Sequence, residues 1–428
     1  GSTRARENRM SVHVTSATAG AARPAWRDPA AWARTADVMA ILTAAAMPWS
    51  TSLVAIFFVI FLVTLIPSGN LREFVSSLRR PINALPIVFF LLAVVGTLWA
   101  TDIPWPARLH GINPVAKLLA IPFLVYHFER SHRGMWVFVT FLISCFLLMI
   151  MSWVVAYIPE LSIKKIPDYG VPVKNYIDQS QEFAICAFGL AWPVLDLIRK
   201  GSYRRAALLT AVALSFIVNM LFVNVARTAF VYMPAMALAF AILHLKVRDI
   251  VVLAIAAVLV VGAAWAASPN LRSKVGTIFS EYAKYQDSNQ ITSVGQRLEF
   301  WTKSIKFVRE APISGHGTGS TKTLFVQDAV GQTGLAAEVI GNPHNQTLNV
   351  AVQWGLIGVI ILYAMWAVHA AQFLGRGLIS WLGILVVVQN IVSSMFNSHL
   401  FDFHEGWMYV LGVGIAAGMM SRQRRAAG

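Results

Sequence analysis

About twelve apolar runs recur along this chain of 428 residues, each long enough, or nearly so, to cross roughly 30 Å of hydrocarbon. They fall near 36–49, 51–67, 84–100, 114–127, 134–157, 181–198, 206–223, 229–245, 249–267, 346–370, 377–395 and 405–420. So many runs leave few folds open, because every backbone polar group inside a bilayer must be satisfied within its own segment. The expectation is an all-α polytopic integral membrane protein whose first and fourth runs, being short, are tilted or broken. Composition agrees: 57% of residues are hydrophobic and 13% charged, against about 25% charged in soluble domains. The net charge of +15 does not indicate nucleic acid, since the basic residues form short clusters between apolar runs and not one basic face.

Those clusters set the orientation. With the N-terminus placed in the cytoplasm, the inside segments hold 21 Lys and Arg and the outside segments 13. Eight of the 13 lie in a single long loop. Both termini are therefore expected inside. The organisation that follows is a cytoplasmic tail over 1–35 with an expression scar over 1–9, spans one to nine over 36–267, an external helical loop over 268–345, spans ten to twelve over 346–420, and a short cytoplasmic tail over 421–428. Cys145 and Cys186 both sit in apolar runs, so no disulfide framework is expected outside. The link 101–114 reads as amphipathic, with Trp105 a candidate interfacial anchor.

The long loop reads as helices. Val294, Leu298, Trp301, Ile305 and Val308 recur at helical spacing, with Ser293 and Gln296 as a capping box and Pro312 as the stop. Leu271, Val275, Ile278, Tyr282 and Tyr285 form a second such stripe. A Gly-rich turn, PISGHGTGS, follows, and then NPHNQTLNVAVQWGLIG. In that string Asn342 suits an N-cap and Pro343 the first helical position, which puts His344 in the first turn of span ten. Gly355 and Gly358 fall near the same face and predict a smooth packing surface below the histidine. A helix N-terminus disfavours imidazolium, so His344 is expected neutral and able to accept a proton. The bland alternative makes His344 a cap and its glycines packing residues; His316, in the Gly-rich turn, reads as structural. His399 and His404 flank Asp402, but too few ligands surround them for a metal site.

Arg227 lies in a very short link between spans seven and eight, and Arg297 lies on the loop helix beside its apolar stripe. An arginine held so close to the apolar boundary needs a partner or a task. The chain carries no P-loop, dinucleotide fingerprint, HExxH, CxxC or serine nucleophile elbow. Chemistry on the outer face has no ATP and must draw on a donor that already stores the energy, such as a polyprenyl pyrophosphate. Guanidinium groups bind phosphate oxygens bidentately and can stabilise such a leaving group.

VARTAFVYM around Arg227, GQRLEFWTKSIKFVREAPISGHGTGS around Arg297, and PHNQTLNVAVQWGLIG with His344, Asn345, Gly355 and Gly358 resemble the O-antigen ligase (WaaL) family of the ligase/polymerase superfamily. Many relatives have Ser before the first arginine, where this chain has Ala226. The resemblance implies about twelve transmembrane helices of the GT-C type and a periplasmic active site in a bacterial inner membrane. It implies transfer of O-antigen polysaccharide from undecaprenyl pyrophosphate to lipid A–core, inverting, with no metal or other cofactor. His344 would then be the general base, Arg227 and Arg297 would bind the pyrophosphate, and Asn345 would bind substrate or orient the imidazole. The loop helices at 271–309 would form a lid. An O-antigen polymerase or a protein O-oligosaccharyltransferase would use the same donor. A lipid or solute transporter would instead require ionisable groups deep in several spans, and few are evident beyond Lys117 and Asp196.

Overall fold

Each apolar run can satisfy its backbone without water only as a helix, and the computed structural model places a helix or a helix pair on every one of them. It describes residues 28–165, 168–288 and 292–427. In chain order the helices are α1 (Pro29–Ala46), α2 (Thr51–Ser68), α3 (Leu71–Ser77), α4 (Pro81–Val95), α5 (Trp105–Ala116), α6 (Ala120–Phe128), α7 (Gly134–Tyr157), α8 (Tyr176–Gly189) and α9 (Ala191–Arg199). They continue as α10 (Tyr203–Phe222), α11 (Ala229–His244), α12 (Val247–Ala267), α13 (Pro269–Ser288), α14 (Ser293–Glu310), α15 (Ser320–Asp328), α16 (Gln346–Gln372), α17 (Leu378–Ser393) and α18 (Phe403–Ala427). Among the described residues seven helical stretches are long and apolar enough to cross a membrane, and an eighth arises if α3 and α4, bent by 83°, make one broken span. The N-terminal tail before residue 28, including the expected scar, lies outside the described residues, as do the side chains of Ile278, Tyr282 and Tyr285.

The core gathers on α17 and α18, where Trp381, Leu385, Tyr409, Val410, Val413 and Ala416 are all buried. By contrast α12 turns Val251, Val252, Ile255, Val258 and Leu259 outward, and α2 exposes Ile56, Val59, Val63 and Ile66. An apolar exterior of this extent is unstable in water and stable against lipid chains. The protein is a multi-pass, all-α membrane protein.

Several expectations are corrected. The fourth span begins earlier than its apolar run: α5 already occupies most of the amphipathic link, and a 3₁₀ turn at Lys117–Leu119 joins it to α6. Trp105 in α5 is exposed and lies under the Arg108 guanidinium, 4.6 Å from ring centroid to carbon. On α14 the N-cap is Thr292, whose Oγ1 accepts from the Gly295 N–H at 3.1 Å, while Gln296 donates to the Glu338 carboxylate. Ser293 and Gln296 therefore form no capping box. The buried face of α14 is Phe300, Lys303, Ser304 and Phe307, and Ile305 of the expected stripe is exposed. Phe300 and Phe307 pack with Phe325 and Val352, so α14 rests on α15 and α16.

The entry to α16 is also different. Asn345 is the N-cap, its Oδ1 accepting from the Leu348 N–H at 3.0 Å. His344 stands before the helix with φ 53°, the single non-glycine positive φ among the described residues. Gly355 does not smooth the helix but breaks it, at φ 58° and ψ −152°. The Gly-rich turn fills the break. Leu356 and Ile357 donate N–H bonds to the Pro312 and Ile313 carbonyls at 2.9 and 3.2 Å, and the Val352 and Gln353 carbonyls accept from His316 and Gly317 at 2.9 and 2.8 Å. A Cβ on Gly355 would lie 2.4 Å from the Ile313 carbonyl carbon, so the position requires glycine for space as well as for φ. Gly358, one turn on, is buried.

Candidate active site

Three segments converge at the end of the bundle where α1 finishes. The first is the α10–α11 link, whose residues Val223, Val225 and Ala226 are buried; the Ala226 N–H donates to Ser180 Oγ at 2.9 Å. With Ala226 pinned, Arg227 is directed toward α13. Its two terminal nitrogens donate to the Glu281 carboxylate at 2.9 and 2.7 Å. The bidentate bond from Glu281 raises the guanidinium pKa, and the same bond lowers that of Glu281.

The second segment is α14. Arg297 lies on its buried face, one turn before Phe300 and two before Ser304, and not beside the stripe as the sequence pattern predicts. No hydrogen-bond or ion-pair partner for its guanidinium occurs among the described residues, although Arg227, Glu281 and Tyr176 lie within electrostatic reach. Burial, and then the like charge of Arg227, lower its pKa. Lys274 joins this group, with Nζ 4.8 Å from the Tyr176 ring centroid and its pKa lowered by burial and by Arg227. Three cations thus gather around Glu281, with Asp168 also within electrostatic reach of Lys274.

The third segment is the α16 entry with the α17–α18 loop. The His344 N–H donates to Asn342 Oδ1 at 2.9 Å, and Asn342 Nδ2 donates to Asn397 Oδ1 at 3.1 Å. The same Asn397 oxygen lies 2.8 Å from His344 Nδ1, and Asn397 Nδ2 donates to Asp402 Oδ2 at 2.7 Å. Because a carboxylate only accepts, Asp402 turns the Asn397 amide so that its oxygen meets the imidazole. Nδ1 then carries the proton, and Nε2 keeps its lone pair. Burial, opposed by the Asn397 bond and reinforced by Arg297, lowers the His344 pKa. The neutral imidazole expected from a helix N-terminus is thus produced by burial instead. Asp402, buried near Asp178 and offset by Lys117, is pushed up to about 6.

Asn345 does not orient the imidazole. Its Oδ1 caps α16 and its Nδ2 donates to the Met395 carbonyl at 3.0 Å. His316 is structural, with Nε2 donating to the Phe307 carbonyl at 2.8 Å. His399 Nδ1 accepts from Gln181 at 3.0 Å, and burial, with Arg297 and His344 nearby, lowers its pKa to about 3. Among the described residues no cluster of three or more His, Cys, Asp or Glu side chains could hold a metal ion.

Beside Asn397 and Asp402 opens a cavity of about 540 Å³, also walled by Lys174, Asp178, His404 and Glu405. Lys174 Nζ bonds the Met47 carbonyl and lies 2.8 Å from His404 Nδ1. Asp178, Glu182 and Glu405 are all buried around it. Asp178 and Glu405 occupy the first turns of α8 and α18, so they line the mouth of the bundle and not a path through it. Sequence reasoning missed Tyr176, Lys274, Glu281 and Asn397. A polar run between two apolar ones, FNSHLFDFHEG, was the available signal for Asn397.

A multi-pass helical bundle with a histidine and paired arginines gathered at one mouth is the class defined by fold and site. Residues 185–363 match the model of the family described as O-Antigen ligase, and they include Arg227, Arg297 and His344. That stretch, less than half of the chain, is thus similar to the O-antigen ligase family. The chain is also similar, at 35% identity over 78 residues, to an uncharacterized protein of Haemophilus influenzae (strain ATCC 51907 / DSM 11121 / KW20 / Rd), a match covering 18% of this chain and 20% of that protein.

Proposed function

We propose that the protein is an O-antigen ligase, transferring O-antigen polysaccharide from undecaprenyl pyrophosphate to lipid A–core on the periplasmic face of the bacterial inner membrane, both termini being cytoplasmic and twelve spans crossing. The observation that carries this reading is the pairing, in one mouth, of an oriented, proton-accepting His344 Nε2 with an Arg297 guanidinium that has no partner among the described residues. The acceptor sugar enters the cavity beside Asn397 and Asp402, whose carboxylates, amide and lysine suit hydroxyl groups. Its attacking hydroxyl gives its proton to His344 Nε2, and its oxygen forms the new bond to the anomeric carbon from the face opposite the leaving group. The bond to the pyrophosphate oxygen breaks, and its electron pair leaves with the pyrophosphate. Arg297 and Arg227 stabilise that growing charge, Arg227 exchanging Glu281 for phosphate oxygens. Anchoring both substrates in one leaflet supplies much of the remaining rate. No metal ion is required in this scheme.

The test is transfer by purified protein in liposomes with lipid-linked glycan, lipid A–core and chelator, beside His344→Ala. Growth of lipid A–core with wild type, and a loss of about 10²–10⁴-fold in the variant, is expected. Lengthening of the donor glycan would indicate a polymerase, glycosylation of an added protein would indicate an oligosaccharyltransferase, and chelator-sensitive transfer would overturn the metal-free step.

A further inference from the structure

The opposite end of the bundle holds a second cavity, of about 250 Å³, between the start of α1, the end of α2, the end of α6 and the link into α7. Lys174 touches the Met47 carbonyl at the far end of α1, so the two cavities are separated by roughly 20 Å of helix. Arg34, Arg130 and Arg133 line it together with Leu65 and Ala33. The one carboxylate lining it among the described residues is turned inward: Asp37 Oδ1 accepts from Ser131 Oγ at 2.5 Å and from His127 Nε2 at 2.8 Å. Arg130 is held by Glu73 at 2.5 Å and stacks on Tyr126. Arg34 has only a 3.5 Å contact with exposed Asp28, and the Arg133 side chain has no partner among the described residues. The α7 N-terminus beside it has no side-chain cap, and an uncapped helix N-terminus favours an anion.

We infer that this cavity seats the phosphodiester of an anionic membrane lipid, with Arg34 and Arg133 on its oxygens and Leu65 against the glycerol and chain roots. A basic recess at the ends of apolar helices matches the amphipathic neck of a lipid better than a free anion. The experiment is native mass spectrometry of the full chain in detergent with phosphatidylglycerol, phosphatidylcholine or inorganic phosphate. Wild type should retain phosphatidylglycerol preferentially. Arg34→Gln combined with Arg133→Gln should lower that retention by about 30-fold, while Arg204→Gln combined with Arg205→Gln, exposed arginines on α10, should leave it unchanged. Equal losses in both pairs would mean diffuse surface charge and overturn the proposal. Displacement of the lipid by inorganic phosphate, with phosphate itself retained, would also overturn it in favour of a free-anion site.

Discussion

The two halves of the candidate site are built in opposite ways. Around His344 the polar side chains are tied together: Asn342, Asn397, Ser398 and Asp402 form one connected set. Around the cations little is closed. Arg297 has no partner among the described residues, and Arg227 has one exchangeable carboxylate on a different helix. The difference fits the two tasks. A general base must present one tautomer, which takes a second hydrogen bond on the ring. An anion receptor must keep donors available for the anion.

The largest break in that comparison is expected from Arg227→Lys. Lysine keeps the charge but loses the planar fork, so transfer should fall by about 10²–10³-fold; full activity in the liposome assay would remove the bidentate clamp. Asn397→Ala should be milder. It leaves His344 in place but releases Nδ1, and a drop of about 10–100-fold in kcat with little change in KM is expected. Nitrogen NMR of His344 should then show mixed tautomers, and an unchanged spectrum would make Asn397 a packing residue only.

The pH dependence sharpens the contrast further. The His344 pKa lies below its ordinary 6.5, through burial first and with Arg297 adding to it. Since the neutral form accepts the proton, kcat/KM should hold as pH falls through 6.5 and decline only below the depressed value. A decline centred above 6.5 would contradict the buried environment. The smallest effect is expected at Glu281→Gln. The pair is partly buried but open to solvent at the mouth, and such a pair contributes about 1 kcal/mol, so freeing Arg227 should tighten donor binding by about 5-fold, as read by KM for the lipid-linked glycan. Weaker donor binding would instead make Glu281 part of the receptor.

How much of this was legible depended on which interactions are local. Every apolar run is helical because lipid-facing backbone leaves no other choice. The stripe on α14 misled because two faces of that helix carry apolar residues, and Phe300 and Phe307 won by finding Phe325 and Val352, partners distant in sequence. Arg297 is on the buried face for the same reason. The α16 entry misled because Asn342 and Asn345 are both good caps, and the choice is fixed by Asn397 and Met395 from the α17–α18 loop. Gly355 was visible as a motif residue, but its break depends on a turn some forty residues earlier in the chain.

That break also bears on how the molecule is made. The upper piece of α16 ends in carbonyls, and the lower piece begins with N–H groups, whose acceptors and donors come from Pro312, Ile313, His316 and Gly317. In hydrocarbon each such group left alone costs several kcal/mol. The native α16 can therefore be completed only once that turn has packed beside it, so folding of this span and of the preceding loop are coupled. The candidate site at the entry to α16 depends on the same packing.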